Sequence, residues 1–318
     1  MIETIGESRS FQTRHGSRIA IVGGGLLGTT LALRYRQAGR IVTVFEAADR
    51  VERRGHASIA SRDRLLLTLL DELGLAGRVR WESARQPGVR FGILSGGRAQ
   101  IVETLRDRAR ALDVDVRLGT PVREITTDGS GFGVDTGSET GEFDEVVVTV
   151  PSPVAAQLLP ILPDRERLGL LGVNYLGINS DSFVVAGPCG DRYLSHASRG
   201  RDHFAVINPG ALSPAEKRPA VVYVSRPLHA NDALFEADDR HVIEHFARAL
   251  PGNANIMRAR VVRIPHAFAQ RRLHAFTCSI SGLSVVNAAH MGGGRHHLER
   301  TAALATTVFR TLCAERIY

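Results

Sequence analysis

The pattern of apolar and polar positions divides the chain into elements before any motif is considered. "RIAIV" (18–22) and "IVTVFE" (41–46) are unbroken runs of mostly branched apolar residues, as expected of parallel strands buried on both faces. Between them Leu27, Leu31, Tyr35 and Ala38 recur at helical spacing, and Gly39 stands where that helix would stop. Helical periodicity returns over 61–75, closed by Gly74, and over 96–112, where Ile101, Leu105, Ala109 and Leu112 share one face. Residues 114–125 alternate as one strand. "GFGVDT" and "GEFDEVVVTVP" then read as a β meander whose last strand is fully apolar and stops at Pro151.

From about 160 to 265 the pattern changes. Short apolar runs ("LLGVNYLGI", "DSFVVAG", "DHFAVI", "PAVVYVS") are separated by Gly, Pro, Asn and Asp, which predicts an antiparallel sheet in place of further βαβ units. Ser213 with Glu216 three residues on is a capping box for a short helix, and 238–250 is a helix with Val242, Phe246 and Leu250 inward. The segment 282–312 reads as strand, glycine-rich turn and helix, a return to the style of the opening. The expected organisation is a leader over 1–17, a discontinuous nucleotide-binding domain over 18–158 and 266–318, and an inserted domain over 159–265.

Gly23, Gly25 and Gly28 have the spacing of a dinucleotide-binding turn. The first permits the tight turn, the second lets backbone approach a diphosphate, and the third lets the helix pack close to the strand. The free N–H groups of the helix start and the positive end of its dipole then favour an anion. Glu46 ends the second strand about 20 residues later, where a carboxylate accepts hydrogen bonds from a ribose and disfavours a 2′-phosphate. This motif does not by itself separate NAD from FAD.

Charge and composition narrow the picture further. The formal charge is +7, and the 40 basic residues include a single lysine, Lys217, with the arginines dispersed. No basic block interleaved with aromatics points to nucleic acid. Cys189, Cys278 and Cys313 are far apart and form no CxxC pair, so neither a disulfide framework nor a metal site is expected, and a reducing cytoplasm is. No stretch reaches the ~20 apolar residues of a membrane span. No GxSxG elbow is present.

On "IAIVGGGLLGTTLALRYRQAGRIVTVFEAADRV", "DRLLLTLLDELGLAGRVRW", "GGRAQIVETLRDRARALDVDVRLGTPVREI", "FDEVVVTVPSPVAAQLLP" and the closing strand, turn and helix, the chain resembles the flavin-dependent amine oxidase family, which includes protoporphyrinogen oxidase. The resemblance implies a Rossmann-like α/β domain of the two-dinucleotide-binding type, FAD as cofactor, and an inserted α+β domain whose antiparallel sheet meets a small-molecule substrate. It implies hydride transfer to flavin N5; the Arg- and Ala-rich composition suggests a high-GC bacterium, and with it a setting of bacterial specialised metabolism. Gly23, Gly24, Gly25, Leu27, Gly28 and Glu46 are carried over to the ADP half of FAD. Val122, on a strand passing the adenine, is carried over to that contact, and Asn287, His297 and Leu298 to the flavin ring beside the last helix.

Three departures from the family pattern stand out. "DRVERRGH" supplies only Gly55 where relatives have a glycine pair. The segment 81–97 is too short for the helical lid that covers substrate in relatives, which implies an open flavin or a cover lent by a protein partner or a second copy. Lys217 does not match the lysine that amine oxidases place near N5, and Trp81 is the sole tryptophan.

No residue is singled out as catalytic. Arg295–His297, just before the last helix, would place an imidazolium near the flavin. His266 and His290 flank the expected return to the nucleotide domain. His56, Tyr193 and His196 are candidates for the rim and the substrate sheet. Two other readings stay open: a flavoenzyme of mutase or cyclase type without net redox turnover, and a binding or scaffold protein on a degenerate FAD fold. An NAD-dependent enzyme would have no use for the closing strand, turn and helix.

Overall fold

A computed structural model of the chain describes residues 16–50, 57–81, 90–186, 193–200, 202–212, 219–229, 231–251, 254–270, 273, 278–291 and 297–314. The first unit is β1 (Arg18–Val22), α1 (Leu26–Gln37) and β2 (Ile41–Phe45), with Arg18 to Val22 in parallel register with Ile41 to Phe45. Ile19 and Ile21 have no exposed surface, and full burial of such a side chain contributes roughly 2 kcal/mol.

Helix α1 is buried on two sides. Leu27, Leu31 and Tyr35 pack toward the sheet, as the spacing predicts, whereas Leu26 and Leu33 pack into a second core with other helices. Gly39 follows α1 with φ +80°, a left-handed stop that glycine takes without steric cost.

The chain continues through β3 (Ala57–Ala60), α2 (Arg64–Glu72), β4 (Val79–Trp81), β5 (Phe91–Leu94), α3 (Gly97–Arg110) and β6 (Asp115–Arg117). Strands β3, β5 and β4 form a small antiparallel sheet that the sequence pattern does not announce, because each is only three or four residues long. Helix α3 ends at Arg110, and Asp113 turns left-handed at φ 61°. Leu112, expected on the inward face, is therefore 36% exposed.

The expected strand over 114–125 is two strands. It breaks after Arg117 and resumes as β7 (Glu124–Thr127), because Gly119 is left-handed at φ +62° and Pro121 has no N–H for a ladder. The two halves join different sheets: β6 pairs with β2, and β7 starts a meander with β8 (Phe132–Asp135) and β9 (Thr140–Phe143). The next strand, β10 (Glu145–Val148), is not the end of that meander. It crosses into the parallel sheet and pairs with β1, Ala20 opposite Val146.

After α4 (Ser152–Leu158) and α5 (Asp164–Leu171) comes β11 (Tyr175–Ala186), one strand where two runs are expected. Asn179 and Asp181 read as breaks in the sequence but hold the inward alternation of the strand. Then follow β12 (Leu194–Arg199), β13 (Asp202–Ile207), β14 (Ala220–His229), α6 (Asp239–Ala247) and β15 (Asn255–Ala269). These strands make one antiparallel sheet in the order β12, β13, β14, β11, β15, with α6 packed on the face carrying Phe183 and Val222. Strand β15 runs unbroken through 265, where the expected boundary falls. Helix α6 is shorter than 238–250, with Asp238 as its N-cap, yet Val242, Phe246 and Leu250 are all buried. The Ser213–Glu216 capping box lies outside the described residues.

The last elements are β16 (Leu283–Val285) and α7 (His297–Phe309). Strand β16 pairs parallel with β10, so the sheet reads β16, β10, β1, β2, β6, parallel throughout. Its carboxyl edge is where an α/β sheet of this kind offers a ligand crevice.

Candidate functional site

That crevice holds a cavity of about 330 Å³ whose wall comes from both the early and the late elements, a volume in the ordinary range for a ligand site. Its wall includes Gly23, Gly25, Leu27 and Gly28 of the glycine turn and α1, Glu46 after β2, Pro121 and Val122, and Met291, His297 and Thr301 from the last elements.

Each glycine has a distinct geometric reason. Gly23 sits at φ +107°, and a Cβ there would lie 2.6 Å from Thr149 Oγ1. At Gly28 a Cβ would lie 1.9 Å from the Gly23 carbonyl oxygen, so only glycine lets α1 start this close to the strand. Gly25 is the opposite case: a Cβ there would meet nothing within 4 Å, because the position opens onto the cavity. Helix α1 begins at Leu26 with no side-chain cap, which leaves its first N–H groups available to an anion.

Glu46 is anchored before any ligand arrives. Its Oε2 accepts from Gly24 N–H at 2.8 Å and its Oε1 from Ala48 N–H at 2.9 Å. Behind the turn stands Arg106, 5% exposed, donating to the Gly24 carbonyl at 2.8 Å and 3.7 Å from Glu46 Oε2. Burial lowers the Arg106 pKa while Glu46 raises it. Gly24 itself is not on the wall. It ties the turn to Glu46 and Arg106, and a Cβ there would lie 2.9 Å from Glu46 Cβ.

Val122 does line the cavity, but from the link between β6 and β7 and not from a strand. Asn287 and Leu298 lie behind the wall. Leu298 packs α7 into the core shared with Leu26 and Leu66. Asn287 donates to the Val150 carbonyl at 2.9 Å and to Ser152 Oγ at 3.1 Å, and accepts from Ala289 N–H at 3.0 Å. It thereby fixes Val150 and Ala288, which do line the cavity. His290 Nδ1 accepts from Asn287 N–H at 3.1 Å, so this histidine belongs to the same buried network.

His297 opens the last helix on the cavity wall, as expected, but not as an imidazolium. Burial first, then the Arg98 and Arg300 guanidiniums, push its pKa down to about 4. It is neutral at pH 7. Arg295, His296, His56, Gly55 and Lys217 lie outside the described residues.

The end of β15 approaches the cavity wall through a ring contact with His297, and no described residue of the antiparallel sheet lines the cavity itself. The Phe268 and His297 ring centroids are 6.5 Å apart, and His266 meets Tyr175 edge-on at 5.2 Å with its pKa lowered by burial. Tyr193 and His196 are at β12, the opposite edge of that sheet, and neither lines the cavity.

Three residues were not singled out from sequence. Arg106 had a signal, an arginine between the inward Leu105 and Ala109 of an amphipathic helix. Thr149 had a weaker one, a hydroxyl ending an apolar strand, and it donates to the Gly23 carbonyl at 2.9 Å. Arg98, at the start of α3, had none beyond its place after two glycines.

Among the described residues there is no cluster able to hold a metal ion, and no helix long and apolar enough to cross a membrane.

A family model described as "flavin containing amine oxidoreductase" matches residues 61–272, two thirds of the chain. No curated protein matches. Among solved structures, a putative protoporphyrinogen oxidase from Exiguobacterium sp. 255-15 superposes with a TM-score of 0.73 at 14% identity, over 94% of this chain and 99% of that one. Putrescine oxidase bound to putrescine gives a TM-score of 0.68 at 14% identity, with coverage of 94% and 99%. The flavin-dependent halogenase CmlS gives 0.63 at 17% identity, over 93% of this chain but 57% of that one. At these identities the likeness is one of fold. The glycine turn precedes the matched span, so its part in the site rests on the geometry above.

Proposed function

Because the chain belongs to the flavin-containing amine oxidoreductase family, whose cofactor is FAD, we propose that it is an FAD-dependent oxidoreductase acting on a small molecule. The observation that carries this reading is the single cavity that β1–α1 and α7 wall together, with open space at Gly25 and an uncapped helix start beside it. The residues present fit the cofactor. Glu46 would take the adenosine ribose, the Gly25–Gly28 N–H groups the diphosphate, and Val122 the adenine side. Residues 18–158 and the chain beyond β15 would form the cofactor-binding domain, and the antiparallel sheet, whose last strand runs to Ala269 and so past the expected boundary at 265, the part that meets substrate.

When bound, FAD supplies hydride acceptance from a substrate C–H bond. The chain's own share is binding, orientation and charge. Neutral His297 at the start of α7 lines the cavity without adding a second positive charge beside Arg98. Asn287 holds Val150 and the Ala288–His290 turn as a fixed wall, so the site is shaped before ligand arrives. His266 and Phe268 give the substrate side an aromatic and uncharged character at neutral pH.

The test is spectroscopic. Purified protein, or protein titrated with FAD, is expected to show a bound-flavin spectrum that bleaches when substrate is added without oxygen. A protein that takes up no FAD overturns the reading. Turnover only after dithionite reduction, with no substrate bleaching, would replace it with a non-redox flavoenzyme.

A further inference from the structure

Two charged side chains stand on the cavity wall among the described residues, and they differ in their company. Glu46 is held by two backbone N–H groups with Arg106 nearby. Arg98 is exposed into the cavity and has no hydrogen bond or ion pair to any described residue. Protein surrounds it closely enough for desolvation to lower its pKa, but a guanidinium stays protonated at neutral pH. A guanidinium that faces a cavity with no partner among the described residues is a ready docking point for an anion supplied by a ligand.

Arg98 shares the cavity wall with His297 of α7. Arg106, not Arg98, is the guanidinium that feels Glu46. Arg98 instead acts on His297, whose ring faces Phe268 of the antiparallel sheet. The glycine turn already offers the diphosphate free N–H groups, a helix dipole and Arg106 behind it. Arg98, on the same wall as His297, has no such company among the described residues.

We propose that Arg98 is a substrate-recognition residue that pairs with a carboxylate or phosphate, so that the enzyme takes an anionic small molecule. The proposal deepens the FAD-oxidoreductase reading and rests on it. A planar guanidinium reads either oxyanion through paired N–H donors, and neutral His297 stands on the same wall.

The test uses FAD-loaded protein titrated with benzoate and with inorganic phosphate, read as a saturable change in the flavin absorption bands. Wild type is expected to bind at least one of them. R98M is expected to bind it about 10- to 100-fold more weakly, the usual worth of a charge-assisted hydrogen bond. R98K should recover part of the loss, and FAD and riboflavin affinities should be unchanged in both variants. Equal melting temperatures of the loaded proteins guard against a folding defect. Loss of FAD but not riboflavin affinity in R98M would overturn the proposal by giving Arg98 to the diphosphate. Wild-type holoprotein with no response to either anion would overturn it alone. Wild type that takes up no FAD would overturn the underlying reading and this proposal together.

Discussion

Asp181 is a carboxylate that this fold buries without a partner. It has no exposed surface, and neither oxygen has a hydrogen bond among the described residues. Burial raises its pKa to about 7 against the pull of Arg263. The proton is therefore bound more tightly in the fold than in the unfolded chain, where an aspartate titrates near about 4. Its contribution to stability is complete below that value and is lost as pH rises through about 7. The melting temperature of the wild type should fall between pH 5 and pH 8, and D181N should flatten that fall. An unchanged pH dependence in D181N would assign the effect elsewhere. From sequence, Asp181 looked like a turn residue, because only the paired strands on either side show that its position points inward.

Among the elements, α2 has the most unusual support. Its N-cap, Asp63, turns its carboxylate to Ala60 N–H at 2.7 Å and gives no cap to the helix. The cap comes from α7: Glu299 accepts from Leu66 N–H at 2.7 Å and from Leu65 N–H at 3.2 Å. A carboxylate at a helix N-terminus is favoured by both the hydrogen bonds and the dipole, so E299Q should cost on the order of 1 kcal/mol in denaturant unfolding. The Glu299→Ala variant should cost more, and no loss in either would remove this role. Nothing in the sequence foretells a cap that spans more than 230 positions. The splitting of 114–125 has a similar cause. The alternation is real in both halves, but Gly119 and Pro121 let them serve two sheets.

For the whole molecule the decisive feature is β10, which joins β1 to β16 and brings α7 over the turn at Gly23. Saturating FAD should therefore slow amide exchange in both 23–31 and 297–301, together and with one concentration dependence. It should also raise the melting temperature by mass action, about 2.7 kcal/mol at a hundredfold excess over Kd. Protection confined to one of the two segments would break the shared-cavity reading. Local rules sufficed for the glycine turn, Glu46, the buried strands and the antiparallel character of the middle of the chain, because each depends on residues within one or two turns of one another. The small three-stranded sheet, the place of Arg98 on the cavity wall, the neutral His297 and the buried Asp181 depend on which distant surfaces come together. Burial and long-range charge decide such properties, and only the tertiary structure determines them.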